Sequence, residues 1–172
     1  MLRGIQGPSS SEKYSNLRRL NTLSNGPQSD AFFYGAALSA TASLLHIAII
    51  AGGARWYQFF GAGRRFVKAA ELGHGWHDVV TLGIAVVLAV WAAYALSVLG
   101  LNLFWINPLP AYKVVLSLVT AAYLLRGVAG FLFLLVPQRS QSKRFIVVSS
   151  FICLGIGVVH SVGLWELLTV EF

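Results

Sequence analysis

Charge is what this chain lacks most. Asp, Glu, Lys and Arg make up 11% of its 172 residues, against roughly a quarter in a soluble domain. With 56% hydrophobic residues and a mean hydropathy of +0.69, a soluble fold of this length would lack the polar surface to cover its apolar side chains. One cysteine, Cys153, excludes an intramolecular disulfide and any CxxC metal or redox motif. Acidic residues number six against thirteen basic ones, a net charge of +7. The basic residues lie in a polar tail and between apolar runs, the pattern of membrane loops and lipid contact rather than of nucleic-acid recognition. The expected partner is therefore the lipid bilayer, and no nucleic acid. Also missing are a Gly-rich phosphate loop, a GxSxG elbow and an HExxH helix. No enzyme activity and no cofactor is expected.

The long uncharged runs are what remains. Residues 1–30 are polar, rich in Ser, Asn and Gly, and carry Arg3, Lys13, Arg18 and Arg19. They hold too few apolar side chains to offset ordering entropy, so a disordered tail is expected. The tail is too long and polar for the n-region of a cleaved signal peptide, and the first apolar run is expected to be retained. Membrane spans are expected at about 31–53, 78–101, 111–136 and 145–168, each long enough to cross a hydrocarbon core of about 30 Å. Between the first two, residues 54–76 mix aromatics with Arg55, Arg64, Arg65 and Lys68. They read as an interfacial segment whose cations meet lipid headgroups, divided by Gly61 and Gly63. Asp78 suits an N-cap. Trp105 suits the interface, Asn107, Pro108 and Pro110 a tight turn, and Pro137 a helix stop.

The fold class is therefore an all-α membrane protein: a four-transmembrane-helix up-down bundle with a short interfacial segment after the first helix. A β-barrel would show strands of about 10 residues with alternating polarity, which these runs lack. The first and third loops hold Arg55, Arg64, Arg65, Lys68, Arg139, Lys143 and Arg144. Retention of positive loops inside then places both ends of the chain outside the cytoplasm.

Ionisable residues inside lipid are functional candidates by default. His46, Arg126 and His160 fall within spans and Glu166 near a span end. Small residues share their helical faces: Ser39, Ala42 and Ser43 with His46; Ala122, Ala129 and Gly130 with Arg126; Cys153 and Gly157 with His160. Small residues mark helix–helix contact, so all three basic side chains are expected to face the interior. Measured from the face of the first and third loops, Asp78, His46, Arg126, His160 and Glu166 sit at depths of roughly 0, 10, 15, 23 and 31 Å. Such a ladder suits either interhelical hydrogen bonds or a proton or ion path, with Tyr94 and Tyr123 as possible fillers. His46 and His160 differ by roughly 12 Å in depth, too much for both to ligate one haem. Glu71, His74, His77 and Asp78 form an E-x-x-H-x-x-H-D run. Its Gly73 and Gly75 oppose a helical metal site, so these are read as interfacial polar residues and no metal is expected.

The run H-I-A-I-I-A-G-G-A-R-W-Y-Q-F-F-G-A-G at residues 46–63, with Y-L-L-R-G at residues 123–127, resembles small bacterial inner-membrane proteins of four spans. The resemblance implies a multi-pass location in a bacterial inner membrane and transfers no catalytic residue. The function expected on these grounds is a structural or accessory component of a membrane assembly, working with a membrane-protein partner or as a homo-oligomer. The alternative is a small proton- or ion-coupled transporter using the His/Arg ladder.

Overall fold

The computed structural model describes residues 11–16, 28–100, 108–135 and 143–169, and among them there is no strand. In chain order the helices are α1 (11–16), α2 (Gln28–Phe59), α3 (Arg64–Glu71), α4 (Trp76–Ser97), α5 (Tyr112–Phe133) and α6 (Lys143–Thr169). Within the tail expected to be disordered, residues 11–16 are helical and exposed, and Ser15 donates to the Glu12 carbonyl. Arg3, Arg18, Arg19, Trp105, Asn107, Pro137 and Arg139 lie outside the described residues.

Helix is what apolar sequence must form in hydrocarbon, because every backbone N–H and C=O there needs a partner from the same segment. α2, α4, α5 and α6 are long and apolar enough to cross a membrane. Their limits follow local chemistry. α2 breaks its geometry at Gly53, with φ 61° and ψ −152°, a region essentially open only to glycine. From Asp30 to Gly53 the helix rises roughly 34 Å, about the thickness of the hydrocarbon core. The kink thus falls where α2 leaves the lipid interior, and its last six residues run on at another angle. The chain then turns at Gly61, also at positive φ, into α3. α4 starts at Trp76, with Gly75 at the N-cap and no side-chain cap. The N-cap role expected for Asp78 is corrected here. Asp78 lies inside the first turn, where a carboxylate still meets the positive end of the helix dipole. α5 opens on Ala111 in a left-handed conformation, φ 54°, directly after Pro110.

Two antiparallel hairpins form the bundle, α2 against α4 and α5 against α6; α2 also packs on α6 and α4 more lightly on α5. The helices thus ring the interior in the order α2, α4, α5, α6, leaving α2 and α5 on one diagonal. Glycines set the close α5–α6 approach. Gly127 faces Leu154, Gly157 faces Leu124, and Gly130 faces the Ser150 hydroxyl. The core has two layers. Phe32, Ala36, Ala95 and Leu116 form one, joined by Leu164 and Leu167. Leu88, Val119, Tyr123 and Ile156 form the other. All four spans supply side chains to the first layer.

Outside the bundle the surface is apolar. Only 28–33% of each span's most apolar stretch is buried in the protein, and Val79, Leu118, Leu125, Leu135 and Phe151 are exposed. Water would not tolerate so continuous an apolar surface; lipid does. The chain is an integral membrane protein.

Candidate functional site

One polar group from each diagonal helix meets at the centre of the bundle. Ser39 and His160 are both fully buried, at 0% exposure. The Ser39 Oγ lies 2.9 Å from the Tyr123 Oη, which joins α2 to α5 across the diagonal. It lies 3.5 Å from the His160 Nε2, at the outer limit of a hydrogen bond. The His160 ring stacks on Tyr123 with centroids 5.7 Å apart and an 11° interplanar angle. Trp91 of α4 meets the same tyrosine edge-on at 5.2 Å. All four membrane helices therefore converge at one level. Gly35 makes the approach possible: a Cβ there would stand 2.9 Å from the His160 Cε1. The His160 Nδ1 is buried and has no well-aligned hydrogen-bond partner among the described residues, with the Gly35 backbone as the polar group facing the ring. Chemically, the arrangement can pass a hydrogen bond from the Tyr123 Oη through the Ser39 Oγ to the His160 Nε2.

His46 stands apart from this node. It lies on the Ser39–Ser43 side of α2, half-buried, with its Nδ1 2.7 Å from the Ala42 carbonyl of its own helix. His160 sits beside Gly35 and Ser39, so the two histidines are separated along α2 by roughly 10–16 Å. Ser43 donates to the Ala85 carbonyl at 2.7 Å, tying α2 to α4 between them. Arg126 departs from the expected inward orientation. Its side chain is exposed, and among the described residues its Nη2 reaches only the Ser149 hydroxyl, at 3.5 Å. The reason is phase. Gly127, Gly130 and Tyr123 occupy the buried face of α5, and position 126 is turned about 100° from Gly127. Glu166 is half-buried near the end of α6, with its Oε2 unpartnered among the described residues. His46, Arg126, His160 and Glu166 are not in mutual contact.

A second polar cluster lies at the α2–α3–α4 end. The Tyr57 hydroxyl is 3.0 Å from the Asp78 Oδ1 and 3.0 Å from the Thr81 Oγ1, while Thr81 donates to the His77 carbonyl. The His77 Nε2 is 3.0 Å from the same Asp78 oxygen. Tyr57 and His77 are buried and meet edge-on at 5.0 Å. Phe66 of α3 covers them, 6.2 Å from the Tyr57 ring and 4.9 Å from Trp76. This cluster docks the short amphipathic α3 on the bundle. It contains His77 and Asp78 of the E-x-x-H-x-x-H-D run, while Glu71 and His74 are exposed. Among the described residues, no three His, Cys, Asp or Glu side chains gather as a metal site would require.

Arg55, Arg64, Arg65 and Lys68 are all exposed at this same end. Sequence reasoning placed Ser39 on the His46 face without giving it a role, and did not single out Tyr57, Trp91 or Thr81. Helical phase was the available signal for Ser39, since residues 39, 43 and 46 fall on one side of α2, whereas Tyr57 lies beyond the Gly53 break, across which that phase does not carry. No protein-family model, curated protein or solved structure matches the chain.

Proposed function

We propose that this protein is a non-enzymatic accessory subunit of a membrane assembly, held to a partner chain through the outer face of α5 and α6. The observation that carries the reading is Arg126. Its guanidinium, on a span's outer face, has five N–H donors and, among the described residues, one weak hydrogen bond, to Ser149. Hydrocarbon offers no acceptor for the others, and a charge at such a position is costly. A partner helix carrying a carboxylate or a free carbonyl would satisfy it. A bacterial inner membrane, the location implied by the sequence resemblance, is part of this proposal.

Native mass spectrometry from mild detergent or native membrane discs tests the reading. The expected result is a second chain, or a second copy, at fixed ratio. Arg126→Gln should weaken that association about tenfold, in line with about 1–2 kcal/mol for an intramembrane hydrogen bond. Helical content should be unchanged. A lone monomer from native membranes would overturn the proposal.

A proton- or ion-coupled transporter is the second reading, favoured by the buried chain of polar groups from Tyr123 through Ser39 to His160. His160→Ala in proteoliposomes would then abolish flux while the protein still folds. Equal flux in parent and variant removes this reading.

A further inference from the structure

The elbow between α2 and α3 encloses an open cleft of about 460 Å³, lined by Gln58, Gly61, Ala62, Arg64, Val67, Lys68 and Glu71. Arg64 and Lys68 stand one turn apart on α3, so both cationic heads serve one side of the helix. Neither makes an ion pair or hydrogen bond with a described residue. Glu71 is the cleft's one acidic group, and it forms no ion pair with them among the described residues. The elbow is not free to close. A Cβ at Gly61 would stand 2.6 Å from the Phe145 Cβ, so the turn rests on the start of α6, while Phe66 and Tyr57 fix α3 from the other side. The cleft therefore persists as a shaped cationic notch.

Its position identifies its occupant. It lies just beyond the Gly53 kink, where α2 leaves the hydrocarbon. Phe59, at 83% exposure beside Gln58, and Leu72, at 61% beside Glu71, put apolar side chains next to it at the depth where such groups meet acyl chains and glycerol. We infer that this notch binds the phosphate of an anionic phospholipid from the adjoining leaflet. Arg64 and Lys68 supply the charge, and Gln58 a neutral donor. A zwitterionic lipid brings its own ammonium toward these cations and binds less well. The inference is independent of the Arg126 contact, which lies on another face.

The full chain in discs of equal parts phosphatidylglycerol and phosphatidylcholine, released for native mass spectrometry, tests it. One retained phosphatidylglycerol per chain is expected, preferred roughly tenfold or more over phosphatidylcholine, as two surface cations imply. Arg64→Gln with Lys68→Gln should abolish the preference. Lys143→Gln with Arg144→Gln, which removes equal charge from the start of α6 outside the cleft, should leave it unchanged. Should the first double variant lose its thermal transition, Lys68→Gln alone replaces it and must lower retention severalfold. Equal retention of both lipids, or equal loss in both double variants, overturns the site. Retention of inorganic phosphate by the lipid-free protein with no lipid preference would overturn it as well, making the notch a site for soluble anions.

Discussion

At the scale of single residues, the centre of the bundle depends on one missing side chain. Gly35 brings the α2 backbone against the edge of the His160 ring, and a methyl group there would meet the Cε1 at 2.9 Å, the Nε2 at 3.0 Å and the Nδ1 at 3.2 Å. The ring cannot retreat, because it stacks on Tyr123 and is fully buried. Overpacking of this kind costs about 1–3 kcal/mol. Gly35→Ala should lower the thermal midpoint in detergent, whereas Gly83→Ala, whose Cβ would meet nothing within 4 Å, should not. The pair controls for helix propensity, which favours alanine at both positions. Equal midpoints for the two variants would show that α2 and α6 are not pinned at His160.

The element scale shows what can be read from a sequence of this kind. Four apolar runs of span length leave little choice of fold, since lipid admits a helix wherever a run is long enough. The glycines at 61 and 63 likewise announce the break between α2 and α3. Less legible is anything that depends on rotation about a helix axis. Arg126 was expected inside because Ala122, Ala129 and Gly130 share its side of the helix, yet Gly127 and Gly130 take the seam with α6 and turn Arg126 outward. In a span that is apolar all round, composition carries almost no moment to fix that rotation. Asp78 was misread as a cap because glycine at 75 starts α4 one turn early. Its actual role is to hold α3 through Tyr57 and His77. Tyr57→Phe keeps the ring contacts with Phe66 and His77 and removes only the hydroxyl, worth about 0.5–1.5 kcal/mol. Hydrogen exchange over residues 64–71 should then speed up roughly two- to tenfold if α3 opens locally from the bundle. The substitution Phe59→Ala, at a residue 83% exposed, should leave that exchange unaltered. No change in the Tyr57 variant would mean that α3 is held by ring packing alone.

For the whole molecule, the distribution of cations decides orientation. The Gly61–Phe145 contact brings the α2–α3 elbow and the start of α6 to one end of the bundle. Arg55, Arg64, Arg65, Lys68, Lys143 and Arg144 therefore gather on a single membrane face. Opposite them, among the described residues beyond position 27, stands Lys113 near the start of α5. Positively charged loops of this length are retained on the cytoplasmic side, and the anionic lipid there rewards them further. An alkaline phosphatase fused after residue 172 should thus be active, because that enzyme folds only outside the cytoplasm. The same fusion after Gly73, in the link between α3 and α4, should be inactive. Replacing Arg64, Arg65 and Lys68 together by Gln removes half of the six described cations on that face, and it should lower the activity of the fusion after residue 172 by letting some chains insert the other way. The reverse pattern, active after Gly73 and silent after residue 172, would assign the cationic face to the outer side. The rule weighs short loops near span ends above long polar segments, so the basic residues of the tail would then be outweighing the elbow.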